Sequence, residues 1–204
     1  MQIPSRLLEN AVEQFATLPS IGKRSALRLV LHLLRKSPEE IETFAQTLIE
    51  MKKNIKNCKN CGNLSDQEIC HICLDPRRDT QTICVVEDIR DIMAIENTHS
   101  FKGIYHVLGG IISPMDGIGP SDLNIKPLIS KVESGAVSEV IFALNATMEG
   151  DTTNYYLNKK LSLFDIIITS LSRGVAVGSE LHYADEATLG RSITYRQPFE
   201  TKTQ

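Results

Sequence analysis

Residues 58–73 read Cys58-Lys59-Asn60-Cys61-Gly62-Asn63-Leu64-Ser65-Asp66-Gln67-Glu68-Ile69-Cys70-His71-Ile72-Cys73, which sets four cysteines in the pattern Cys-x2-Cys-x8-Cys-x2-Cys. Zinc takes tetrahedral thiolate ligands, and each Cys-x2-Cys turn presents two sulfurs to one ion. Two such turns close the coordination shell and leave no position for water or substrate. The spacing therefore predicts one structural Zn2+ per chain, held by Cys58, Cys61, Cys70 and Cys73. His71 falls between Cys70 and Cys73, where ligand spacing is poor. Two disulfides or a redox pair are the competing readings; a cytoplasmic setting keeps thiols reduced and speaks against disulfides. Four thiolates on Zn2+ leave a formal charge of about −2, which Lys52, Lys53, Lys56 and Lys59 are placed to offset. The fifth cysteine, Cys84, lies in the apolar run Ile83-Cys84-Val85-Val86 and reads as a small buried hydrophobe.

On the N-terminal side of the cysteines the periodicity is helical. Leu8, Ala11, Val12 and Phe15 follow the i, i+3, i+4, i+7 pattern. The pattern breaks at Leu18-Pro19-Ser20-Ile21-Gly22 and resumes with Ala26, Leu29, Val30, Leu33 and Leu34. Ser37-Pro38-Glu39-Glu40 starts a third helix, with Ser37 as cap, Pro38 at the first helical position and Glu40 completing a capping box. Ile41, Phe44, Ala45, Leu48 and Ile49 are expected to be its buried stripe.

The turn at 18–22 carries chemistry. Gly22 permits a tight backbone at the start of the second helix, whose free N–H groups and dipole favour phosphate. Lys23, Arg24 and Arg28 stand beside it, and Arg24, Arg28 and Arg35 fall within about 40° of one another at 100° per residue. The arrangement looks like a helix-hairpin-helix, which grips DNA backbone without reading bases. An ordinary helical hairpin with solvated arginines fits the same pattern. Gly22-Lys23 is not a nucleotide P-loop, since it has no glycine five residues before Gly22 and Arg24 follows Lys23.

On the C-terminal side the pattern changes to short apolar runs at 83–87, 104–108, 140–144 and 164–168, with helix-compatible stretches near 88–97, 125–134 and 151–162 between some of them. Strands alternating with helices predict an α/β layer with a mostly parallel sheet. The stretch Gly109–Asp122, with four glycines and two prolines, is long enough to be a functional loop. A final helix is expected over Ala184–Tyr195. In such sheets ligands bind at the carboxyl ends of the strands. Glu87, Glu149 and Asp151 lie there in sequence and together offer oxygen ligands for a hard cation. The same acids also read as helix caps.

The whole chain has 204 residues, 42% hydrophobic and 23% charged, with a net charge of −3. That composition excludes disorder, and no apolar run approaches the roughly 20 residues of a membrane span. The opening Met1-Gln2-Ile3-Pro4-Ser5-Arg6 lacks a signal peptide's apolar core, so the expected location is the cytoplasm. Charge is uneven. Residues 1–60 hold 10 Lys/Arg against 6 Asp/Glu, whereas residues 61–204 hold 12 against 19. A basic end on an acidic body fits a polyanion partner at one end, as it fits an uneven solvated surface.

In order, the parts are a helix-hairpin-helix, a four-cysteine finger, and an α/β domain opening with Ile83-Cys84-Val85-Val86-Glu87. With His106-Val107-Leu108-Gly109-Gly110, Ser113-Pro114-Met115-Asp116-Gly117-Ile118-Gly119-Pro120, Ala143-Leu144-Asn145-Ala146-Thr147-Met148-Glu149-Gly150 and Tyr183-Ala184-Asp185-Glu186-Ala187-Thr188-Leu189-Gly190-Arg191, the chain resembles the bacterial RecR recombination mediators over nearly its whole length.

The resemblance implies a multi-part α+β and α/β fold: a helix-hairpin-helix DNA-binding region at 1–57, a C4 zinc finger at 58–75, a Toprim domain at 80–173, and a C-terminal helical oligomerisation segment at 174–204. It further implies a ring-shaped homotetramer able to surround single- or double-stranded DNA through backbone contacts. RecO and RecF are the implied partners, and loading of RecA on single strands coated by single-strand-binding protein is the implied task. Lys23, Arg24, Arg28 and Arg35 then form the DNA-contacting surface, and Glu87, Glu149 and Asp151 the partner-contacting acids. Catalytic Toprim enzymes carry an Asp-x-Asp pair where this chain has Asn145-Ala146-Thr147, so no enzymatic activity is expected. Ser20 departs from the glycine usual in the hairpin. It keeps the turn without strain only if its φ is negative.

Overall fold

The computed structural model describes residues 3–198. The first two residues of the expected DNA-binding region and the last six of the expected oligomerisation segment lie outside them. The chain divides into two compact units, Met1–Ile55 and Lys56–Gln204.

The first unit holds helices α1 (Arg6–Ala16), α2 (Lys23–Leu33) and α3 (Pro38–Asn54). Ser5 caps α1 by accepting the Leu8 N–H at 3.4 Å. The helical stripes identified in the sequence bring α1 and α2 together around Val12, Ala26 and Val30, which are buried, with Leu8, Phe15 and Ile21 against them. Ser37 and Glu40 form the expected capping box: Ser37 Oγ accepts from Glu40 N at 3.3 Å, and Glu40 accepts from Ser37 N at 3.0 Å.

The apolar stripe of α3 departs from expectation. No residue of α3 is buried, and Phe44, Leu48 and Ile49 are each more than 40% exposed. The helix forms because its capping and period are local. Burying its stripe requires a surface that α1 and α2, packed on each other, do not offer it.

The second unit opens with a two-residue antiparallel ribbon, β1 (Lys56–Asn57) and β2 (Leu64–Ser65), and the single-turn α4 (His71–Leu74). A four-stranded sheet follows, from β3 (Asp79–Val86), β4 (Gly103–Val107), β5 (Glu139–Phe142) and β6 (Ile167–Ser170). Its order is β4-β3-β5-β6, and every pairing is parallel. The connecting helices are α5 (Ile89–Glu96), α6 (Ile125–Glu133) and α7 (Met148–Leu161).

Strand alternation sends Ile83, Val85, Ile104 and Val140 to one face, where Leu128 and Val132 of α6 and Leu157 and Leu161 of α7 cover them. Cys84, Val86, Tyr105 and Val107 point to the other face, against Ile92 of α5 and the cysteine turns. Cys84 is buried there, and burial pushes its thiol up to about 12, as expected of a small core residue. Arg78 ties the segment after the cysteines to this layer. It pairs with Glu96, which accepts the Tyr105 hydroxyl at 2.7 Å, and donates to the carbonyls of Phe101 and Gly103.

The last strand begins three residues later than the apolar run at 164–168 predicts. Phe164 and Ile166 pack into the core from the connection instead, and Phe164 N bonds back to the Leu161 carbonyl at 3.0 Å. Apolar loop residues of this kind mimic a buried strand. Beyond Ser170 none of the described residues is buried. Helix α8 (Glu186–Thr194) is capped by Asp185, which accepts from Thr188 N at 2.9 Å.

Candidate metal centre and nucleic-acid interface

The sulfurs of Cys58, Cys61, Cys70 and Cys73 all lie within 4.8 Å of one another. Cys61 Sγ and Cys70 Sγ are 3.5 Å apart, near the roughly 3.8 Å expected between thiolates on one tetrahedral zinc. The four sulfurs converge as one set and not as two separate pairs, which fits a shared metal better than two disulfides. The first turn is built by backbone. Gly62 N bonds the Cys58 carbonyl at 2.9 Å and Cys58 N the Asn63 carbonyl at 2.6 Å. Gly62 has φ +79, the left-handed region that glycine tolerates, and a Cβ there would stand 3.2 Å from the Val107 carbonyl oxygen.

The Cys61 and Cys70 thiols are pushed up, Cys61 chiefly by its hydrogen bond with Cys73 and Cys70 by burial. At Cys58 burial also raises the pKa, but N–H groups from Cys70, Cys61 and Asn60 outweigh it and bring it down to about 7. Cys70 N reaches Cys58 Sγ at 3.2 Å. Hydrogen bonds of this kind favour a thiolate ligand. The donor set fits one structural zinc ion and leaves no open coordination position. His71 is exposed and takes no part in the sulfur cluster.

The cation beside this centre is not one the sequence points to. Lys59 pairs with Glu68 at 2.8 Å on the exposed side, and Lys56 is exposed on β1. Lys131 of α6, half-buried, instead donates to the Asn60 carbonyl inside the first cysteine turn. Its Nζ also lies 3.4 Å from His106 Nδ1. Burial lowers the Lys131 pKa, opposed by the charges of Cys61, Cys73 and Cys58. His106 is fully buried, and its Nε2 lies 2.7 Å from the Asn124 carbonyl. A carbonyl only accepts, so Nε2 carries the proton and Nδ1 is free to accept from Lys131. Burial, and then the Lys131 charge, bring His106 down to about 4. No local pattern signals either residue; only their chemistry, a lysine and a histidine in apolar segments, marks them.

In the first unit, Lys23, Arg24, Arg28 and Arg35 are all exposed, and none has an acidic partner within ion-pair distance among the described residues. Arg24, Arg28 and Arg35 line one recess with Leu27, Leu31 and His32. Arg35 lies two residues beyond α2, in a turn where its N–H bonds the His32 carbonyl at 3.1 Å. Gly22 precedes α2 without a side-chain cap, and the first turn holds no acid. Its leading N–H groups are therefore open to an anion. Ser20 adopts φ +63, so the hairpin holds the strained conformation and not the relaxed one.

At the carboxyl ends of the strands the three acids do not converge; among the described residues only the cysteines form a cluster able to hold a metal. Glu87 accepts from Asn145 Nδ2 at 2.7 Å. Thr147 caps α7, its Oγ1 accepting from Gly150 N at 3.1 Å. Asp151 pairs with Arg173 at 2.5 Å and Arg191 at 3.5 Å, tying the start of α7 to the C-terminal segment. Hydrogen bonding to Arg173 is the main cause that holds its carboxyl below the usual range. The cation reading of Glu87, Glu149 and Asp151 is thus not supported: an amide and two guanidinium groups take positions a metal would need.

Four family models match the chain in sequence: a RecR helix-hairpin-helix over residues 8–52, a RecR four-cysteine zinc finger domain over 55–75, a Toprim domain over 81–171 and a RecR C-terminal region over 174–197. The recombination protein RecR of Flavobacterium johnsoniae is 58% identical over 98% of this chain and 97% of its own length. The chain belongs to the RecR family. RecR proteins of Phocaeicola vulgatus and Bacteroides thetaiotaomicron are 56% and 54% identical, each over 97% of both chains. The RecR zinc finger matches the stretch that holds the four converging sulfurs, and the RecR helix-hairpin-helix the unit that carries the basic stripe. No helix among the described residues is long and apolar enough to cross a membrane.

Proposed function

We propose that the chain is a DNA-binding recombination mediator that acts as a ring-shaped homotetramer around single- or double-stranded DNA. With RecO and RecF it promotes RecA loading on single strands coated by single-strand-binding protein. The observation that carries this reading is the basic surface of α2, with Lys23, Arg24 and Arg28 at and near its uncapped start and Arg35 just past its end, none of them with an acidic partner among the described residues. Such a surface holds phosphates without reading bases. One hairpin makes few contacts, and a ring multiplies them through effective concentration.

The apolar residues left unburied support assembly. Phe44, Leu48 and Ile49 of α3 and Leu181, Tyr183, Ile193 and Tyr195 of the C-terminal segment are exposed in the single chain. A second chain would let each set leave water, which fits the oligomerisation role of 174–204 and adds α3 to it. Glu87, Glu149 and Asp151 remain the proposed contacts for the RecO-like partner. Glu149, whose carboxylate has neither an ion pair nor a side-chain hydrogen bond among the described residues, is the foremost of the three, since Glu87 is held by Asn145 and Asp151 by two arginines.

The chain is not an enzyme in this reading. Phosphoryl chemistry needs carboxylates to fix a cation beside the scissile phosphate, and Asn145 and Thr147 stand where the charged pair belongs. Light scattering with and without DNA tests the ring: a tetramer, or a dimer that doubles on DNA, is expected, and a monomer at every concentration contradicts it. Magnesium-dependent nicking abolished by Glu87→Gln would favour an enzyme instead.

A further inference from the structure

We propose that Lys131 is the charge-compensating and positioning residue of the metal centre, reaching from α6 to grip the Asn60 carbonyl of the first cysteine turn and to set a positive charge beside the four thiolates. Zinc retention then depends on a residue of the sheet domain that lies 71 positions from the turn it holds.

The geometry leaves Lys131 little freedom. One N–H goes to the Asn60 carbonyl. A second faces His106 Nδ1 at 3.4 Å, and His106 is itself fixed by the Nε2 bond to the Asn124 carbonyl at 2.7 Å. Asn124 is held in turn: its N–H bonds the Leu108 carbonyl at 2.9 Å, and its side-chain amide the Val107 carbonyl at 3.2 Å. Val107 N closes the circuit on the Cys61 carbonyl at 2.8 Å. The polar chain thus starts and ends on the same cysteine turn. A neutral histidine suits this place because it accepts from the ammonium without adding a second positive charge.

A tetrathiolate zinc centre carries a formal charge of about −2. A buried charge of that size is unfavourable unless it is paired or hydrogen-bonded. Lys59 points its charge at Glu68 on the outside. Lys131 is half-buried, hydrogen-bonded inside the turn, and has no carboxylate partner among the described residues. A cation there favours thiolate over thiol at each ligand, and so favours metal over protons.

The test is zinc release from the full-length protein to an excess of chelator, followed with a metal dye. Lys131→Met removes charge and donor, Lys131→Gln keeps a donor without charge, and Lys131→Arg keeps the charge. Outer-shell partners of metal ligands are typically worth 10- to 100-fold in affinity. Lys131→Met and Lys131→Gln should therefore release zinc about 10-fold faster or more, with Lys131→Arg close to the unaltered chain. The cobalt-substituted protein gives a second readout. Its sulfur-to-metal charge-transfer band should shift in Lys131→Gln and return in Lys131→Arg, which a packing role alone does not produce. Lys59→Met should change neither. If Lys131→Met fails to fold, Lys131→Gln and Lys131→Arg decide on the same terms. Release and spectrum unchanged in Lys131→Gln, or equal loss in Lys131→Gln and Lys131→Arg, would overturn the proposal.

Discussion

The backbone N–H of Val107 donates to the carbonyl of Cys61 at 2.8 Å, so the first turn of the metal centre lies along the outer edge of β4. An open edge strand exposes unpaired N–H and C=O groups that invite pairing with other chains. Here the zinc finger takes up part of that edge, and metal binding and sheet integrity share one contact.

Gly62, beside that contact, should not tolerate a side chain. Gly62→Ala combines a left-handed φ with a Cβ 3.2 Å from the Val107 oxygen. A loss of about 2 kcal/mol is expected, together with weaker zinc retention. Gly135 has a similar φ of +74 but open space around it, so Gly135→Ala should lose only the strain, about 1 kcal/mol. Thermal unfolding of the two variants measures the difference; equal losses would assign no role to the Val107 contact.

Ser20 makes the opposite case. At φ +63 it occupies the left-handed region without glycine's freedom. Ser20→Gly should stabilise the first unit by about 1 kcal/mol, seen as a higher unfolding midpoint with DNA binding retained. A lower midpoint would show that the hydroxyl or the loss of chain entropy outweighs the strain.

Phosphate contact through α2 predicts salt-dependent binding with weak sequence preference. Arg24→Ala and Arg28→Ala should each lower affinity for all sequences alike and reduce the salt slope by about one. Fluorescence anisotropy over a salt series measures both. Unchanged slopes in the double variant would move the DNA site away from this helix.

His106 sets an acid limit on stability. Its pKa falls from 6.5 to about 4 on folding, with burial the larger cause. Between those values the unfolded chain binds the extra proton, so stability rises with pH there and is lost as pH falls from 6.5 toward 4. A shift of that size corresponds to about 3 kcal/mol once pH is below both values. His106→Gln, which keeps a donor for the Asn124 carbonyl, should flatten this part of the curve. Denaturant midpoints from pH 4 to 7 for both proteins, with zinc content held equal, show whether the slope belongs to His106.

Much of the molecule follows from short-range pattern. The metal ligands lie within sixteen residues of one another, so their spacing alone announces the site. The cap at Ser37, the helices α1, α2 and α5 to α7, and the strands β3 to β5 are written in local period and capping chemistry. So is the basic stripe on α2, because side chains three and four residues apart share a helix face whatever the rest of the chain does.

What local pattern leaves open is settled by packing between distant segments. The stripe on α3 has a buried helix's period, yet it is exposed in the single chain, because period states which side is apolar and not what covers it. Phe164 and Ile166 read as strand and pack from a loop, because a core accepts apolar side chains from any backbone. The sign of φ at Ser20 depends on how two helices close on each other. Lys131 meets Asn60 only after the sheet and the cysteine turns are folded together, and Glu87 meets Asn145 across two strands that are separate in sequence. The amino-acid order by itself determined most of the helices and the first three strands of the sheet, the zinc ligands and the cationic surface. Tertiary structure decided which charges neutralise which, because a Coulomb interaction acts over ångströms in space and is indifferent to separation along the chain.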